Sequence, residues 1–227
     1  MKVAAIVAAA GKGERLKTKI RKPFVILGKD PILLHALKAL DNSSLVSEVI
    51  IVAHQADIPK TRLLVKRAKL KKVKDVVAGG KRRMDSVKAG LAAASGDADY
   101  VLIHDGCRPF IDNRSISSVL DAAATFGASI PAVPVKPTIK EIEKGNFVVA
   151  TLKRESLVDV QTPQAFRKDI LMRAYERGLA EGAEATDDSA LVERMGIKVK
   201  VVDGSYRNIK ITTPEDLKYA KILMGER

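Results

Sequence analysis

The chain has 227 residues, 46% of them hydrophobic and 30% charged, enough to bury a full core in one domain and unlike a disordered composition. Its apolar runs fall well short of the roughly 18 residues a membrane span needs, and its single cysteine, Cys107, excludes an intrachain disulfide and suits a reducing cytoplasm. The net charge of +13 sits in two clusters: residues 60–74 hold eight Lys/Arg and no acid, residues 12–22 hold six Lys/Arg and one Glu, and the rest is balanced.

Two compact basic clusters fit either a nucleic-acid binder or a phosphate-rich small substrate beside one solvated helix. Four Tyr, five Phe and no Trp leave little material for base stacking. The run at 60–74 therefore reads as a solvated helix face.

In chain order, the apolar stretch at the N-terminus has the look of a secretory core. It carries only one basic residue before it and runs into Gly11-Lys12-Gly13-Glu14-Arg15 without a cleavage context, so it is expected to be a first strand over 2–9. Further short Val/Ile-rich runs predict strands over 48–53, 73–77, 100–104 and 128–133. Between them, apolar residues at three- and four-residue spacings predict helices over 32–40, 58–70, 84–94 and 115–126. This alternation predicts an α/β fold, a mostly parallel sheet with helices on both faces. The rhythm then breaks. Residues 135–151, around Lys144-Gly145-Asn146, read as a protruding β-hairpin, followed by helices over 168–180 and 187–195 and a strand over 197–202. Thr213-Pro214-Glu215-Asp216 opens a last helix, with Thr213 as cap and the acids at its positive end. One domain over 1–227 is expected, with an arm at 135–154.

Three segments carry the chemistry. Ala8-Ala9-Ala10-Gly11-Lys12-Gly13-Glu14-Arg15-Leu16 follows the first strand; its small residues and glycines leave backbone amides free to cradle phosphate. It is neither a Walker A loop nor a dinucleotide fingerprint, since Leu16 stands where a third glycine belongs. Its basic tail, Arg15, Lys17, Lys19, Arg21 and Lys22, suits a metal-bound triphosphate. Gly79-Gly80-Lys81-Arg82-Arg83-Met84-Asp85-Ser86 joins a strand to a helix, where amides and a hydroxyl can meet a base or phosphate. His104-Asp105-Gly106-Cys107-Arg108-Pro109 ends a strand at the ligand-binding edge of such sheets. Asp105 there suits either a ribose hydroxyl or a hard cation such as Mg²⁺. His104 reads as a core or turn histidine, and Cys107, without a histidine partner in sequence, is assigned no catalysis.

With Val133-Pro134-Val135-Lys136-Pro137-Thr138, Thr162-Pro163-Gln164-Ala165-Phe166, Thr186-Asp187-Asp188-Ser189-Ala190 and Asn208-Ile209-Lys210-Ile211-Thr212, in that order along nearly the whole chain, these segments resemble the 2-C-methyl-D-erythritol 4-phosphate cytidylyltransferase family of the non-mevalonate isoprenoid pathway. The resemblance implies transfer of CMP from CTP to a polyol phosphate by a cytoplasmic homodimer that uses Mg²⁺, held mainly by the CTP phosphates with Asp105 available. It implies that Ala9, Ala10 and Gly11 contact the nucleotide and that Gly80 and Ser86 recognise cytosine. Arg15 and Lys22 match the pair that stabilises the transition state, and Asp105 and Arg108 match positions beside nucleotide and substrate. Thr138 and Arg154, on an arm exchanged between subunits, reach the partner's site. Thr162, Thr186 and Lys210 complete the pocket, with Arg154 and Lys210 gripping the substrate phosphate. Ribitol 5-phosphate cytidylyltransferases share the nucleotide half, and Thr138 and Arg154 favour methylerythritol phosphate between the two. A catalytically silent nucleotide sensor is the other rival; the presence of both Arg15 and Lys22 counts against it.

This chain departs from the family pattern in three places. Arg21-Lys22-Pro23 stands where Pro-Lys-Gln is usual. Arg82 replaces a common acid before Arg83, and Gly106-Cys107 replaces a pair of alanines. The chain ends soon after its last helix, which gives no expectation of a fused cyclase.

Overall fold

The computed structural model describes residues 1–11, 13–16, 18 and 20–225; Lys12, Lys17 and Lys19 of the basic loop lie outside the described residues. Strand β1 (Val3–Ala9) leads through 3-10 turns at Glu14–Leu16 and Lys22–Phe24 to a short hairpin, β2 (Ile26–Leu27) and β3 (Asp30–Pro31), and then to α1 (Ile32–Asn42). The alternation continues as β4 (Glu48–Ala53), a 3-10 turn (Gln55–Asp57), α2 (Ile58–Arg67), β5 (Val73–Ala78), α3 (Arg83–Ala93), β6 (Tyr100–Asp105), α4 (Asn113–Phe126) and β7 (Ala128–Pro134). The hairpin arm is β8 (Lys140–Ile142) and β9 (Val148–Thr151). After it come β10 (Val158–Val160), β11 (Gln164–Arg167), α5 (Lys168–Ala180), α6 (Ser189–Glu193), β12 (Lys200–Asp203) and α7 (Pro214–Gly225).

Eight of these strands form one mixed sheet. β1 lies at its centre in parallel register with both neighbours, Ile6 opposite Ile50 of β4 and Ile103 of β6. β5 continues the parallel set beyond β4. On the other side, β11 runs antiparallel between β6 and β7. Ser129 of β7 pairs with both Ala165 and Lys200, and Ala132 with both Val160 and Asp203. β12 therefore covers one edge of β7, while β10 and β11 share the other. This inserted antiparallel strand is absent from the sequence expectation of a mostly parallel sheet. Its two pieces are only three and four residues long, too short to show a period.

Alternation along the strands sends the core to both faces. Val3, Ala5, Val7 and Ala9 pack with Leu33, Leu37 and Leu40 of α1 and Ile116, Val119 and Leu120 of α4. Ile6, Val52 and Ile103 face the opposite way, onto Val87 and Leu91 of α3 and Leu171 and Ala174 of α5. A side chain added at Gly90 of α3 would break this layer, since a Cβ there would come 2.5 Å from Ile6 Cγ2 of β1 and 2.9 Å from Val52 Cγ2 of β4.

Helix ends follow local chemistry. The expected helix over 58–70 stops at Arg67, and Lys69 turns into the left-handed region at φ 53°. α7 is capped as expected: Thr213 Oγ1 accepts the Asp216 N–H at 3.3 Å, and Asp216 accepts the Thr213 N–H at 2.8 Å. The expected strand over 197–202 begins only at Lys200, where β12 meets β7.

Candidate active site

The parallel strands deliver their carboxyl ends to one edge, as in other open α/β sheets. There a cleft of about 760 Å³ opens, within the range of small-molecule sites. Ala9, Ala10, Gly11, Arg15, Lys22, Gly80, Ser86, Asp105 and Lys210 all line it. These nine expected site residues come from five separate stretches of the chain, and the fold brings them together.

The glycines serve approach rather than packing at the mouth. A Cβ on Gly11 would meet nothing within 4 Å, so the backbone there lies open toward the cleft. Gly79 is different: a Cβ would collide with Ala10 at 2.3 Å and Ser86 Oγ at 2.8 Å, so it permits the first loop to close on the second. Ser86 Oγ accepts the Gly80 N–H and donates to the Arg82 carbonyl, both at 3.2 Å. The two residues expected to read the base are thus already paired with each other.

Charge defines the cleft. Arg15, Lys22, Lys81, Arg82, Arg83 and Lys210 line it, and Asp105 is the one carboxylate among the described lining residues. Arg82 is engaged by Asp85 at 2.8 Å, Arg83 by Asp188 at 2.5 Å and Lys210 by Asp105 at 2.8 Å. Arg15, Lys22 and Lys81 make no ion pair among the described residues, which leaves three cations for an anionic ligand.

Asp105 sits at the tip of β6 with Lys210 at 2.8 Å and Arg108 at 3.5 Å. Burial alone would raise its carboxyl, but Lys210, Arg83 and Arg108 outweigh it and hold the group at about 2. It is ionised at any working pH. Its backbone N–H donates to Thr162 Oγ1 at 3.0 Å, and that hydroxyl is 3.0 Å from His104 Nδ1. His104 Nε2 lies 3.1 Å from the Arg108 carbonyl. A carbonyl only accepts, so Nε2 carries the proton and Nδ1 accepts from Thr162. Burial pushes His104 down to about 4 and keeps it neutral. This confirms a core role for that histidine. Cys107 lines the cleft but burial raises its thiol to about 11, consistent with no nucleophilic role.

Other expected residues are placed differently. Arg108 is not among the residues lining the cleft; its Nη atoms donate to the Asn208 carbonyl at 2.7 Å and the Val160 carbonyl at 3.3 Å. Asn208 Nδ2 donates to the Thr162 carbonyl at 2.8 Å. Arg108 and Thr162 therefore stitch the segments that carry Asp105 and Lys210 and are not part of the cleft wall. Thr186 is exposed and outside that wall, and so are Thr138 and Arg154 on the arm. Arg154 Nη1 donates to the Lys136 carbonyl at 2.9 Å, across the base of the arm.

Sequence reasoning did not single out His54, Gln55, Arg83 or Thr212 as site residues, yet all four line the cleft. Arg83 is anchored from beneath by Asp188, whose side chain is fully buried and also accepts from the Tyr175 hydroxyl at 2.5 Å. Burial opposes the Arg83 charge, but Asp188 overrides it and raises the guanidinium further. The signal was present in the neighbouring motifs, Gly79–Ser86 and Thr186–Ala190, but their contact spans 105 residues.

A family model described as 2-C-methyl-D-erythritol 4-phosphate cytidylyltransferase matches residues 3–226. A relative of that name from Pelotomaculum thermopropionicum is 47% identical over 227 residues, covering 100% of this chain and 95% of its own. Another, from Geobacillus thermodenitrificans, is 43% identical over 100% and 99% of the two chains. Among solved structures, the 4-diphosphocytidyl-2C-methyl-D-erythritol synthase of Anaerococcus prevotii superposes with a TM-score of 0.89 at 33% identity, covering 99% of this chain and 96% of that one. The cytidylyltransferase of Thermus thermophilus gives 0.82 at 32% identity, with 98% of each chain covered.

Proposed function

Because the chain belongs to the 2-C-methyl-D-erythritol 4-phosphate cytidylyltransferase family, we propose that it transfers CMP from CTP to 2-C-methyl-D-erythritol 4-phosphate, releasing pyrophosphate. The observation that carries this reading is the cleft itself: an open glycine backbone, a Gly80–Ser86 pair and three cations without ion-pair partners among the described residues, Arg15, Lys22 and Lys81.

The chemistry suits these side chains. A phosphate monoester brings its own anionic oxygen, so attack on the α-phosphorus of CTP needs no general base. It needs alignment, and neutralisation of charge on the α-phosphate and the departing pyrophosphate. Arg15 and Lys22 supply that charge from the loop side. Lys210, held against Asp105, faces them as a grip for the incoming phosphate. Ser86 and Gly80 exchange one hydrogen bond with each other for bonds to cytosine, whose amino group is a donor where uracil has an acceptor.

No cluster of three metal-ligating side chains occurs among the described residues, and the wall offers one carboxylate. That donor set fits Mg²⁺, which keeps several waters and takes substrate phosphates with one or two carboxylates. Asp105 would hold it beside the CTP phosphates, and the ion would neutralise the charge that develops there.

The proposal includes a homodimer with an exchanged arm. Ile142, Phe147, Val148 and Val149 on the β8–β9 hairpin are each 57–70% exposed. An isolated two-stranded hairpin is marginal in water, and such an apolar tip is stabilised by packing on another subunit. Arg154 then reaches the partner's cleft. The lone cysteine suits a cytoplasmic enzyme, and no helix among the described residues is long and apolar enough to cross a membrane.

Pyrophosphate release tests the substrate reading. CTP with methylerythritol phosphate should turn over well above UTP, ATP or GTP, because a pocket built for the cytosine donor leaves buried acceptors unpaired when uracil enters. Preference for ribitol 5-phosphate, or equal use of all nucleotides, would contradict it. Mixing Arg154→Ala chains with Lys22→Ala chains tests the arm. Heterodimers should regain activity at one intact site, and no recovery despite confirmed subunit exchange would refute the exchange.

A further inference from the structure

We infer that Asp57 is a positioning residue for Lys22, acting through an ion pair with Arg21. The inference rests on the reading of Lys22 as the cation that meets the triphosphate.

Lys22 opens the 3-10 turn Lys22–Phe24, between the glycine loop and β2. That turn is held on both flanks by the segment that starts α2. On one flank, Arg21 Nε lies 3.3 Å from Asp57 Oδ2, with the Asp57 side chain only 14% exposed. On the other, the Lys60 ammonium sits 4.2 Å above the ring of Phe24, which is itself buried. Phe24 and Val25 donate backbone N–H groups to the carbonyls of Arg21 and Lys22, at 2.9 and 3.2 Å, which closes the turn on itself. From the glycine loop, Gly13 approaches so closely that a Cβ there would stand 2.8 Å from Lys22 Cβ.

The Lys22 backbone is therefore fixed from three sides, while its ammonium makes no ion pair among the described residues. Its aim into the cleft depends on the backbone that carries it. The same segment places His54 and Gln55 in the cleft wall, so the connection from β4 to α2 both lines the cleft and braces the turn that carries Lys22.

The sequence gives the pair its meaning. Where the family pattern has proline before this lysine, the chain has Arg21, and Arg21 holds φ −59° and ψ 138°. That φ is the one a pyrrolidine ring imposes. The ion pair to Asp57 does by charge what a ring does by covalent constraint. Asp57 is suited to the task because its side chain makes no capping hydrogen bond to α2. Its charge is available to Arg21.

Steady-state kinetics of the full-length enzyme at saturating substrates test this, with Asp57→Asn, Arg21→Pro, the double variant and Lys22→Ala compared. Asp57→Asn should lower kcat about tenfold, the scale of a slightly misplaced group, with KM for CTP and the thermal midpoint nearly unchanged, as expected for losing a partly exposed ion pair. The added Arg21→Pro change should restore kcat to within about twofold of the parent, since it fixes the same φ without the carboxylate. Parental kcat in Asp57→Asn, with Lys22→Ala inactive, overturns the inference and leaves the proposed function standing. Parental turnover in Lys22→Ala overturns the reading of Lys22 first. A double variant as slow as Asp57→Asn also overturns the inference, because it shows that Asp57 does not act through the turn. Should Asp57→Asn fold poorly, Arg21→Gln breaks the pair from the other side, and a parental kcat there counts against the inference equally.

Discussion

Replacing Asp105 with Asn keeps the shape of the side chain and removes the one carboxylate in the described cationic wall. Holding that carboxyl at about 2 instead of the ordinary 3.8 corresponds to about 2 kcal/mol of folding free energy by linkage. The side chain is 11% exposed, so solvent screening removes little of it. Lys210 at 2.8 Å and Arg108 at 3.5 Å lose their shared partner. The variant should therefore be less stable by about 2 kcal/mol at pH 7 in urea denaturation. A carboxyl with a depressed value stabilises the fold fully above its unfolded value and loses that contribution as pH falls through its folded one. The stability gap between the two proteins should stay constant above about pH 5 and close between about pH 4 and 2. Equal urea midpoints at pH 7, or a gap that does not change with acidification, would refute the electrostatic account of this site. Turnover should fall as well, because Asn leaves Lys210 without its anchor.

Arg15→Ala and Lys22→Ala should each lower kcat by about 10²–10³, by analogy with removing one preorganised donor, while the unfolding midpoint stays close to the parent; normal turnover in a folded variant contradicts the assignment. His104 is held neutral by burial at about 4, against an ordinary 6.5, so the unfolded chain takes up a proton first and stability should fall by about 3 kcal/mol as pH drops from 6.5 toward 4. A His104→Gln variant should lose that part of the acid slope, and an unchanged slope assigns it elsewhere. Changing Lys66, Lys69, Lys71 and Lys72 together to Gln should leave kcat almost unaltered, because the run at 60–74 lies outside the cleft wall; a collapse in activity, or tight salt-sensitive RNA binding by the parent, would revive the nucleic-acid reading.

The central sheet and three of the cleft's loops were legible because their signals are local. Val3–Ala9 alternates between the two faces of a buried strand, and Gly11, Gly79 and Gly80 mark the strand-to-helix turns that bear the ligand. The β10–β11 insertion was not legible, since Val158–Val160 is largely exposed and neither piece is long enough to show alternation. Arg108 illustrates a different limit. Its motif places it next to Asp105, but its guanidinium is taken by the carbonyls of Asn208 and Val160, 100 and 52 residues away. Thr162 likewise reads as a pocket residue, while its hydroxyl is spent between the Asp105 N–H and His104. The Arg83–Asp188 and Arg21–Asp57 pairs escaped for the same reason. Sequence shows which residues carry charge, and only the fold shows which of them are already neutralised.

The claim on which everything else depends is that an oxygen of the polyol phosphate attacks the α-phosphorus of CTP within this cleft. Oxygen-18 in the phosphate of 2-C-methyl-D-erythritol 4-phosphate tests it most directly, with the products read by phosphorus NMR and mass spectrometry. The expected products are a CMP conjugate with label in its bridging diphosphate oxygen and pyrophosphate free of label. Label in the released pyrophosphate, or free CMP with no conjugate, would contradict it.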